Sequence, residues 1–183
     1  PDIKTDQVKS MLDRSNRLST PQGVPFIWNS GEKNIAFTSL WDNFPSKIEF
    51  PVNQKGDAIW FLVSGSTNVM QCRIANAVIR LNYTDGITDS LELIPPVNYW
   101  NLSTIDSHAT APGQGSRNDY TAETDRFCMP DILPETVQLG DNCRAMLLNL
   151  KMRKGVALKS VTLETLSQEV VVGMMGLSVM TNN

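Results

Sequence analysis

Hydrophobic and polar residues alternate in short runs along most of the chain after residue 23, and Gly, Pro, Asn and Asp separate these runs. A period of two residues, with Val, Ile, Phe, Trp and Thr enriched, is typical of strands that bury one face. The pattern predicts an all-β domain whose strands span residues 24–28, 35–40, 47–52, 58–64, 74–84, 87–93, 136–139, 144–152, 158–166 and 170–180.

The clearest alternation lies in residues 77–83, AVIRLNY, where every second residue is apolar or aromatic. Asp85 and Gly86 follow at once and precede another strand-like run. Asp-Gly is a strong signal for a two-residue type I′ turn, which needs positive φ at both central positions. The sequence therefore predicts a β-hairpin from residue 74 to residue 93 with a type I′ turn at Asp85 and Gly86.

Two segments, residues 58–63 and 169–180, are apolar at consecutive positions. Such runs are typical of central strands that are covered on both faces. Gly173 and Gly176 interrupt the second run, and glycines inside a strand indicate a bulge or a close approach of another backbone segment.

The first residues have a different pattern. Val8, Met11 and Leu12 recur at helical spacing within residues 5–15, behind polar residues that could cap a helix. We expect residues 1–22 to form an N-terminal linker and short amphipathic helix, and residues 23–183 to form a single β-sandwich domain.

Composition narrows the class of protein. The 183 residues carry a net charge of -3, and 41% of them are hydrophobic, which suits one folded domain and disfavours nucleic acid as a partner. The longest apolar runs, residues 59–63 and 170–172, are far shorter than the roughly 20 residues that a membrane-spanning helix needs. The chain begins at Pro1 without a basic and apolar leader, so we expect any secretion signal to lie outside the numbered residues.

Cysteine spacing and cofactor motifs provide little information about function. Cys72, Cys128 and Cys143 are odd in number and form no CxxC pair, so the sequence predicts neither a zinc site nor a fully paired disulfide framework. Either all three thiols are reduced, or one bridge forms. No nucleotide-binding motif is present, and we expect no cofactor. A structural calcium ion held by loop carboxylates stays open, although EF-hand spacing is absent.

Catalytic motifs are also missing. The sequence has no G-x-S-x-G elbow and a single histidine, His108, so a Ser-His-Asp triad has almost no support. A glycosidase needs only two carboxylates that converge in space, and the candidates would be Asp42, Asp85, Asp89 and Asp106. The alternatives are a role in the turn for Asp85 and a solvated surface position for the others. We expect no catalytic activity in this chain alone.

Candidate binding residues cluster after strand-like runs. Trp41 and Trp100 each end such a run and open a polar segment, where an indole ring can stack on a sugar and neighbouring amides can bind hydroxyls. Residues 102–125 lack apolar periodicity, and long irregular segments are often functional. The candidate carbohydrate-binding residues are Trp41, Asn43, Trp100, His108, Arg117 and Tyr120. The alternative is that both tryptophans close the end of the sandwich as packing residues.

Several blocks of sequence resemble a known family. They are residues 23–26 (GVPF), 33–45 (KNIAFTSLWDNFP), 58–66, 68–71 (NVMQ), 78–86 with its YTDG hairpin, 158–166 and 170–175. Their order resembles the galactose-binding-like β-sandwich modules attached to bacterial glycoside hydrolases. They are most similar to an uncharacterised family of C-terminal domains of predicted glycoside hydrolases from gut bacteria. Residues 102–125 do not align with that family.

The resemblance implies an antiparallel two-sheet jelly roll in the periplasm or at the cell surface, beside a catalytic domain that this chain lacks. It implies a noncatalytic accessory domain of a carbohydrate-active protein, with a glycan as its ligand. The alternative is a structural module that docks on a neighbouring glycoside hydrolase domain of the same polypeptide. Because sandwiches of this kind serve several roles, the fold does not decide between them.

Overall fold

A computed structural model describes residues 5–28, 35–41, 43–67, 69–100, 135–140 and 143–181. The described residues form one short helix, α1 (Thr5–Ser10), eleven strands and one 3₁₀ turn at Val69–Gln71. The strands are β1 (Arg17–Ser19), β2 (Pro25–Ile27), β3 (Ala36–Ser39), β4 (Lys47–Gln54), β5 (Ala58–Ser66), β6 (Ala77–Tyr83), β7 (Thr88–Leu93), β8 (Thr136–Gly140), β9 (Cys143–Lys151), β10 (Leu158–Thr165) and β11 (Val171–Met180).

Two antiparallel sheets enclose the main core. The four-stranded sheet has the order β4-β10-β6-β7, and the five-stranded sheet has the order β3-β11-β5-β9-β8. Buried side chains from β5, β9 and β11 pack against side chains from β6, β7 and β10, among them Phe61, Ile79 and Leu163. The all-β prediction is therefore confirmed, and the arrangement is that of a β-sandwich.

The strand pairs are nested along the chain. β3 pairs with β11, β4 with β10, β5 with β9 and β6 with β7. Each pair encloses the next pair along the sequence, from β3 and β11 on the outside to β6 and β7 on the inside. β11 also pairs with β5, and β10 with β6. These two extra pairings join the four nested pairs into the two sheets.

Both segments predicted as central strands lie inside the five-stranded sheet, as β5 and β11. In β5, Phe61 faces the core between the sheets, whereas Leu62 faces the opposite side and is also fully buried. Consecutive apolar residues are thus explained by burial of both faces, which confirms the prediction.

The two glycines of β11 admit neighbouring rings. A Cβ atom at Gly173 would lie 2.6 Å from the Phe37 ring, and one at Gly176 would lie 2.9 Å from the Phe26 ring. The register of β11 against β5 shifts between Met174 and Gly176. The structure therefore confirms the predicted bulge, whereas the groups that come close to the two glycines are side chains and not another backbone.

The predicted hairpin is present as β6 and β7, but its turn differs. A type I′ turn needs positive φ at both Asp85 and Gly86, and of these two residues only Gly86 has positive φ, at 83°. The predicted type I′ turn is therefore wrong. Gly86 N donates to Tyr83 O at 3.2 Å, and Tyr83 N donates to Ile87 O at 3.0 Å. This is a three-residue loop with glycine in the left-handed position. Asp85 avoids positive φ and accepts a hydrogen bond from Ile87 N at 3.0 Å.

The N-terminal residues cover the outer face of the five-stranded sheet. Val8, Leu18 and Phe26 are buried in a second apolar cluster with Leu62 and Leu147 of that sheet. The helix is shorter than predicted, and β1 was not predicted because three residues are too few to show alternation. β1 and β2 pair across the boundary expected between residues 22 and 23, and that boundary stays a prediction.

Strand register defines two ends of the sandwich. At one end Ser39 lies opposite Val171, and Val171 lies opposite Ser66. Four segments meet there, which we call the apolar end; their described residues are 40–41 and 43–46, 67 and 69–76, 94–100, and 166–170. At the other end, which we call the basic end, lie the connections of residues 55–57, 84–87 and 152–157. Among the described residues, no helix is long and apolar enough to cross a bilayer.

Candidate functional site

The described candidate residues lie at the apolar end. Trp41 and Asn43 belong to the connection between β3 and β4, and Trp100 closes the segment after β7. Trp41 is 47% exposed, Asn43 is exposed and Trp100 is half-buried. The structure thus brings to one end three residues that lie up to about 60 positions apart in the sequence.

The backbone of Trp41 is fixed although its indole ring is exposed. Trp41 N donates to Ser39 Oγ at 3.3 Å, and Phe44 N donates to Trp41 O at 3.0 Å. Ser39 Oγ in turn donates to Val170 O at 2.7 Å, and the Phe44 ring packs edge-on against Phe37 at 6.4 Å. An aromatic ring on a fixed backbone can bind a ligand face without the entropy cost of ordering a loop.

Tyr99 anchors the segment that ends at Trp100. Its side chain is fully buried, and its hydroxyl donates to Val171 O at 2.9 Å. Burial raises the pKa of Tyr99 well above its usual value, so the hydroxyl keeps its proton. Gly65 makes room for this contact, because a Cβ atom there would lie 2.2 Å from the Tyr99 hydroxyl. Tyr99 thereby sets where Trp100 leaves the sandwich.

Asn76, which is fully buried, connects the other segments of the apolar end. Its Nδ2 donates to Gln71 O at 2.8 Å and to Ile74 O at 3.1 Å, and its Oδ1 accepts from the Thr67 hydroxyl. Its backbone N donates to Leu93 O at 2.8 Å, and its backbone O accepts from the amides of residues 166 and 167. The side chain and the backbone groups of this one residue therefore connect the segment after β5 with the last residue of β7 and the segment after β10.

The apolar end also carries exposed hydrophobic side chains, and all of them except Trp41 are absent from the predicted site. Of the eight large hydrophobic side chains that are exposed among the described residues, five lie here. They are Trp41, Met70, Ile74, Val97 and Leu166. Ile74 and Leu166 lie in segments predicted as strands, whereas Met70 and Val97 gave no periodic signal because they lie in turns. A cluster of exposed apolar side chains is typical of a binding surface.

The remaining candidates lie outside the described residues. These are His108, Arg117 and Tyr120 of the candidate binding set, together with Asp42, Asp106 and Cys128. Their contribution to a site stays a prediction. Cys72 is half-buried and forms no disulfide bond within the described part of the chain.

The two described carboxylates that were weighed as catalytic lie at the opposite end. Asp85 pairs with Arg153 at 3.3 Å and accepts a hydrogen bond in its own turn, and Asp89 interacts with the Tyr83 hydroxyl. These contacts explain both residues as structural. Within the described part of the chain, no group of three or more His, Cys, Asp or Glu residues is placed to hold a metal ion.

Comparison with known proteins adds no relative: no family model, no curated protein sequence and no solved structure matches the chain.

Proposed function

We propose that this chain is a noncatalytic accessory β-sandwich domain of a carbohydrate-active protein, and that its apolar end binds a glycan. The observation that carries the proposal is Trp41, whose indole is 47% exposed on a backbone fixed by hydrogen bonds. The apolar face of a pyranose ring stacks on such an indole, and the exposed amide of Asn43 can bind hydroxyl groups.

The proposal also includes the type of β-sandwich. We assign the sandwich to the jelly-roll, galactose-binding-like type. The nested pairing of β3 to β11, β4 to β10, β5 to β9 and β6 to β7 supports it, because a jelly roll is one long antiparallel hairpin wound into two sheets. β8 then adds a strand at one edge. The resemblance to accessory modules of bacterial glycoside hydrolases supports a periplasmic or cell-surface location.

The expected affinity is modest. One exposed indole with a few polar neighbours fits a dissociation constant in the micromolar to millimolar range, or about 4–8 kcal/mol. Trp100 contributes the part of its ring that is accessible, and the buried hydroxyl of Tyr99 anchors the backbone that precedes it. No proton transfer or covalent step is involved.

The test is a glycan array probed with the purified chain, followed by calorimetry on each hit. Trp41→Ala should weaken binding at least tenfold, which corresponds to about 1.4 kcal/mol. Ile87→Ala is the matched control, since Ile87 is 45% exposed at the basic end. If the two variants and the wild type bind the glycan with equal affinity, Trp41 is not part of the site. If the wild type binds none of the plant and host glycans on the array, the glycan proposal is rejected.

The clustering of five exposed apolar side chains favours a second candidate function, which is docking on a neighbouring catalytic domain. Such a contact would bury Met70 and Val97, which are 83% and 61% exposed. Hydrogen exchange distinguishes the two candidates when the chain is compared alone and within a longer polypeptide that includes its neighbour. Protection of residues 67–76 and 94–100 only in the longer polypeptide supports docking. Unchanged exchange rejects it.

A further inference from the structure

The basic end carries a concentration of lysines that the overall charge conceals. Half of the chain's eight lysines lie at or beside its connections: Lys55, Lys151, Lys154 and Lys159. All four are exposed. Among the described residues, none of the four forms an ion pair with a carboxylate. The whole chain has a net charge of -3, so this end differs in sign from the rest of the molecule.

Backbone contacts hold the lysine-bearing segments together. Met152 N donates to Asp57 O at 2.8 Å, so the connections that carry Lys55 and Lys154 are hydrogen bonded to each other. Lys151 directly precedes Met152, and Lys159 follows Leu158, which pairs with the last residue of β4. Four residues separated by up to about 100 positions in sequence therefore lie at or beside one end of the sandwich, with Lys151 in the five-stranded sheet and Lys159 in the four-stranded sheet.

The carboxylates at this end do not cancel the lysines. Asp85 pairs with Arg153, whose guanidinium lies 5.7 Å from the centre of the Tyr83 ring, and Asp89 interacts with the Tyr83 hydroxyl. Asp57 is half-buried. Five basic residues against three acidic ones leave a local charge of about +2. Arg153 thus serves the fold, and the exposed lysines remain for a partner.

We propose that the basic end is a second interaction surface, which binds a polyanionic polysaccharide that carries carboxylate or sulfate groups. Lysine suits this ligand, because an ammonium group is a mobile point charge that follows anionic groups spaced along a flexible polymer. The surface is separate from the apolar end, so it does not depend on Trp41.

Other polyanions fit less well. Binding of single-stranded nucleic acid uses exposed aromatic rings that stack on bases, and the tyrosine at this end, Tyr83, is 3% exposed. Insertion into a membrane surface uses several apolar side chains, whereas Ile87 is the one large hydrophobic side chain exposed here among the described residues. A sugar polymer with regular anionic groups needs neither.

The experiment compares polygalacturonate and heparin with neutral dextran as ligands for the purified chain, in salt from about 0.05 M to about 0.5 M. The variant Lys55→Gln/Lys151→Gln/Lys154→Gln/Lys159→Gln removes the surface. The matched control, Lys9→Gln/Arg14→Gln/Arg17→Gln/Lys47→Gln, removes the same charge elsewhere. Circular dichroism and thermal unfolding establish that both variants are folded. Each lysine should contribute about 1.5- to 5-fold to the affinity.

We expect binding of at least one polyanion and none of dextran, loss of binding in high salt, and loss in the lysine variant but not in the control variant. Equal weakening in both variants would show a net-charge effect and overturn the proposal, as would no binding at low salt. Tighter binding of a DNA oligonucleotide than of either polysaccharide would overturn the ligand class. Trp41→Ala should leave the affinity unchanged, so failure here and failure of the glycan site at Trp41 are distinguishable.

Discussion

The two ends of the sandwich are built in different ways. At the apolar end, long segments meet and carry exposed Trp41, Met70 and Val97 on their outside, while buried Asn76 and Tyr99 connect them from the inside. At the basic end, the connections are short and carry several charged side chains, among them Lys55, Arg153 and Lys154. The same two sheets therefore present an apolar surface at one end and a positively charged surface at the other.

The difference has a physical cause in backbone hydrogen bonding. A short connection satisfies its own peptide groups, as Gly86 N and Ile87 O do with Tyr83. A longer segment has peptide groups that no strand partner satisfies, so side chains must supply the missing bonds. Asn76 does this for Gln71 O and Ile74 O. The comparison predicts that stability depends on buried polar side chains at the apolar end and much less on side chains at the basic end.

The largest expected effect is that of a methyl group added at the apolar end. A Cβ atom at Gly65 would lie 2.1 Å from Val171 O and 2.2 Å from the Tyr99 hydroxyl, and a backbone carbonyl cannot move aside without disturbing the sheet. We expect Gly65→Ala to lower the free energy of unfolding by about 3 kcal/mol or more. Urea unfolding followed by circular dichroism measures it.

The matched substitution at the basic end is Gly56→Ala. The nearest atom there is a side-chain methyl of Val179 at 2.4 Å, which can change rotamer, so we expect a loss of about 1–2 kcal/mol. A larger loss at Gly56 than at Gly65 would contradict the view that the apolar end is the more tightly constrained.

Removal of the Asn76 side chain tests the polar connections. In Asn76→Ala, two carbonyl groups lose their donor and the Thr67 hydroxyl loses its acceptor, so the free energy of unfolding should fall by about 2–3 kcal/mol. Asn98→Ala is the control, because half-buried Asn98 makes two side-chain hydrogen bonds in the same end and should cost about 1 kcal/mol. Equal costs would mean that Asn76 has no special role.

The strands were predictable from the sequence, whereas these polar connections were not. Alternation in residues 77–83 and apolar runs in residues 58–63 reflect burial directly, and burial has a period that a sequence shows. Asn76 and Tyr99 lie outside the strands, where no period exists, and their partners are distant in sequence. Tyr99 contacts Val171, 72 positions away. A side chain's hydrogen-bond partners depend on the final register, which alternation alone does not determine.

The candidate sites also differ in whether the sequence predicted them. Trp41 and Trp100 were selected because strand ends in a sandwich collect at its edges, and the structure places both at one end. The lysines at the basic end gave no signal, since Lys55 and Lys159 are about 100 positions apart and become neighbours only through the pairing of β4 with β10. Prediction of turn type also failed at Asp85, because Asp-Gly fits a three-residue loop as well as a two-residue one.

Removal of one hydroxyl at each end gives a smaller contrast. Tyr99→Phe deletes the hydrogen bond to Val171 O inside the apolar end and should cost about 1–2 kcal/mol. Tyr83→Phe deletes the acceptor of Arg153 N at 3.2 Å and the hydroxyl that interacts with Asp89; both partners are half-buried and can bind water instead, so the loss should be less than about 1 kcal/mol. Urea unfolding of the two variants at neutral pH checks the order. The reverse order would contradict the comparison.

The same tyrosine predicts an alkaline limit to stability. Burial raises the pKa of Tyr99 in the folded state, so the unfolded chain loses this proton first. The stabilising contribution is complete below the unfolded pKa of about 10 and falls as pH rises above it, by up to about 1.4 kcal/mol per pH unit. The slope of stability between about pH 9.5 and 11 should be shallower in Tyr99→Phe than in the wild type. Parallel slopes would show that Tyr99 ionises equally in both states.

The smallest effect is expected at the ion pair of the basic end. Arg153→Lys keeps the charge near Asp85 but removes the guanidinium from the Tyr83 ring, and the two charged side chains are about one-third exposed. Solvent screening limits the loss to about 0.5 kcal/mol. Arg80→Lys is the control, because Arg80 pairs with Glu164 in the sheet at similar exposure and no ring contact is recorded for it in the described part of the chain.

Urea unfolding of both variants at low and high salt separates the two contributions. High salt should reduce the part of each variant's stability loss that comes from charge. In Arg153→Lys a loss of about 0.3 kcal/mol should remain at high salt, because the ring contact is also removed. A loss above about 2 kcal/mol in Arg153→Lys would instead place a second tightly packed polar network at the basic end. The contrast between the ends would then lie in their surfaces alone, since each would depend on polar side chains for its stability.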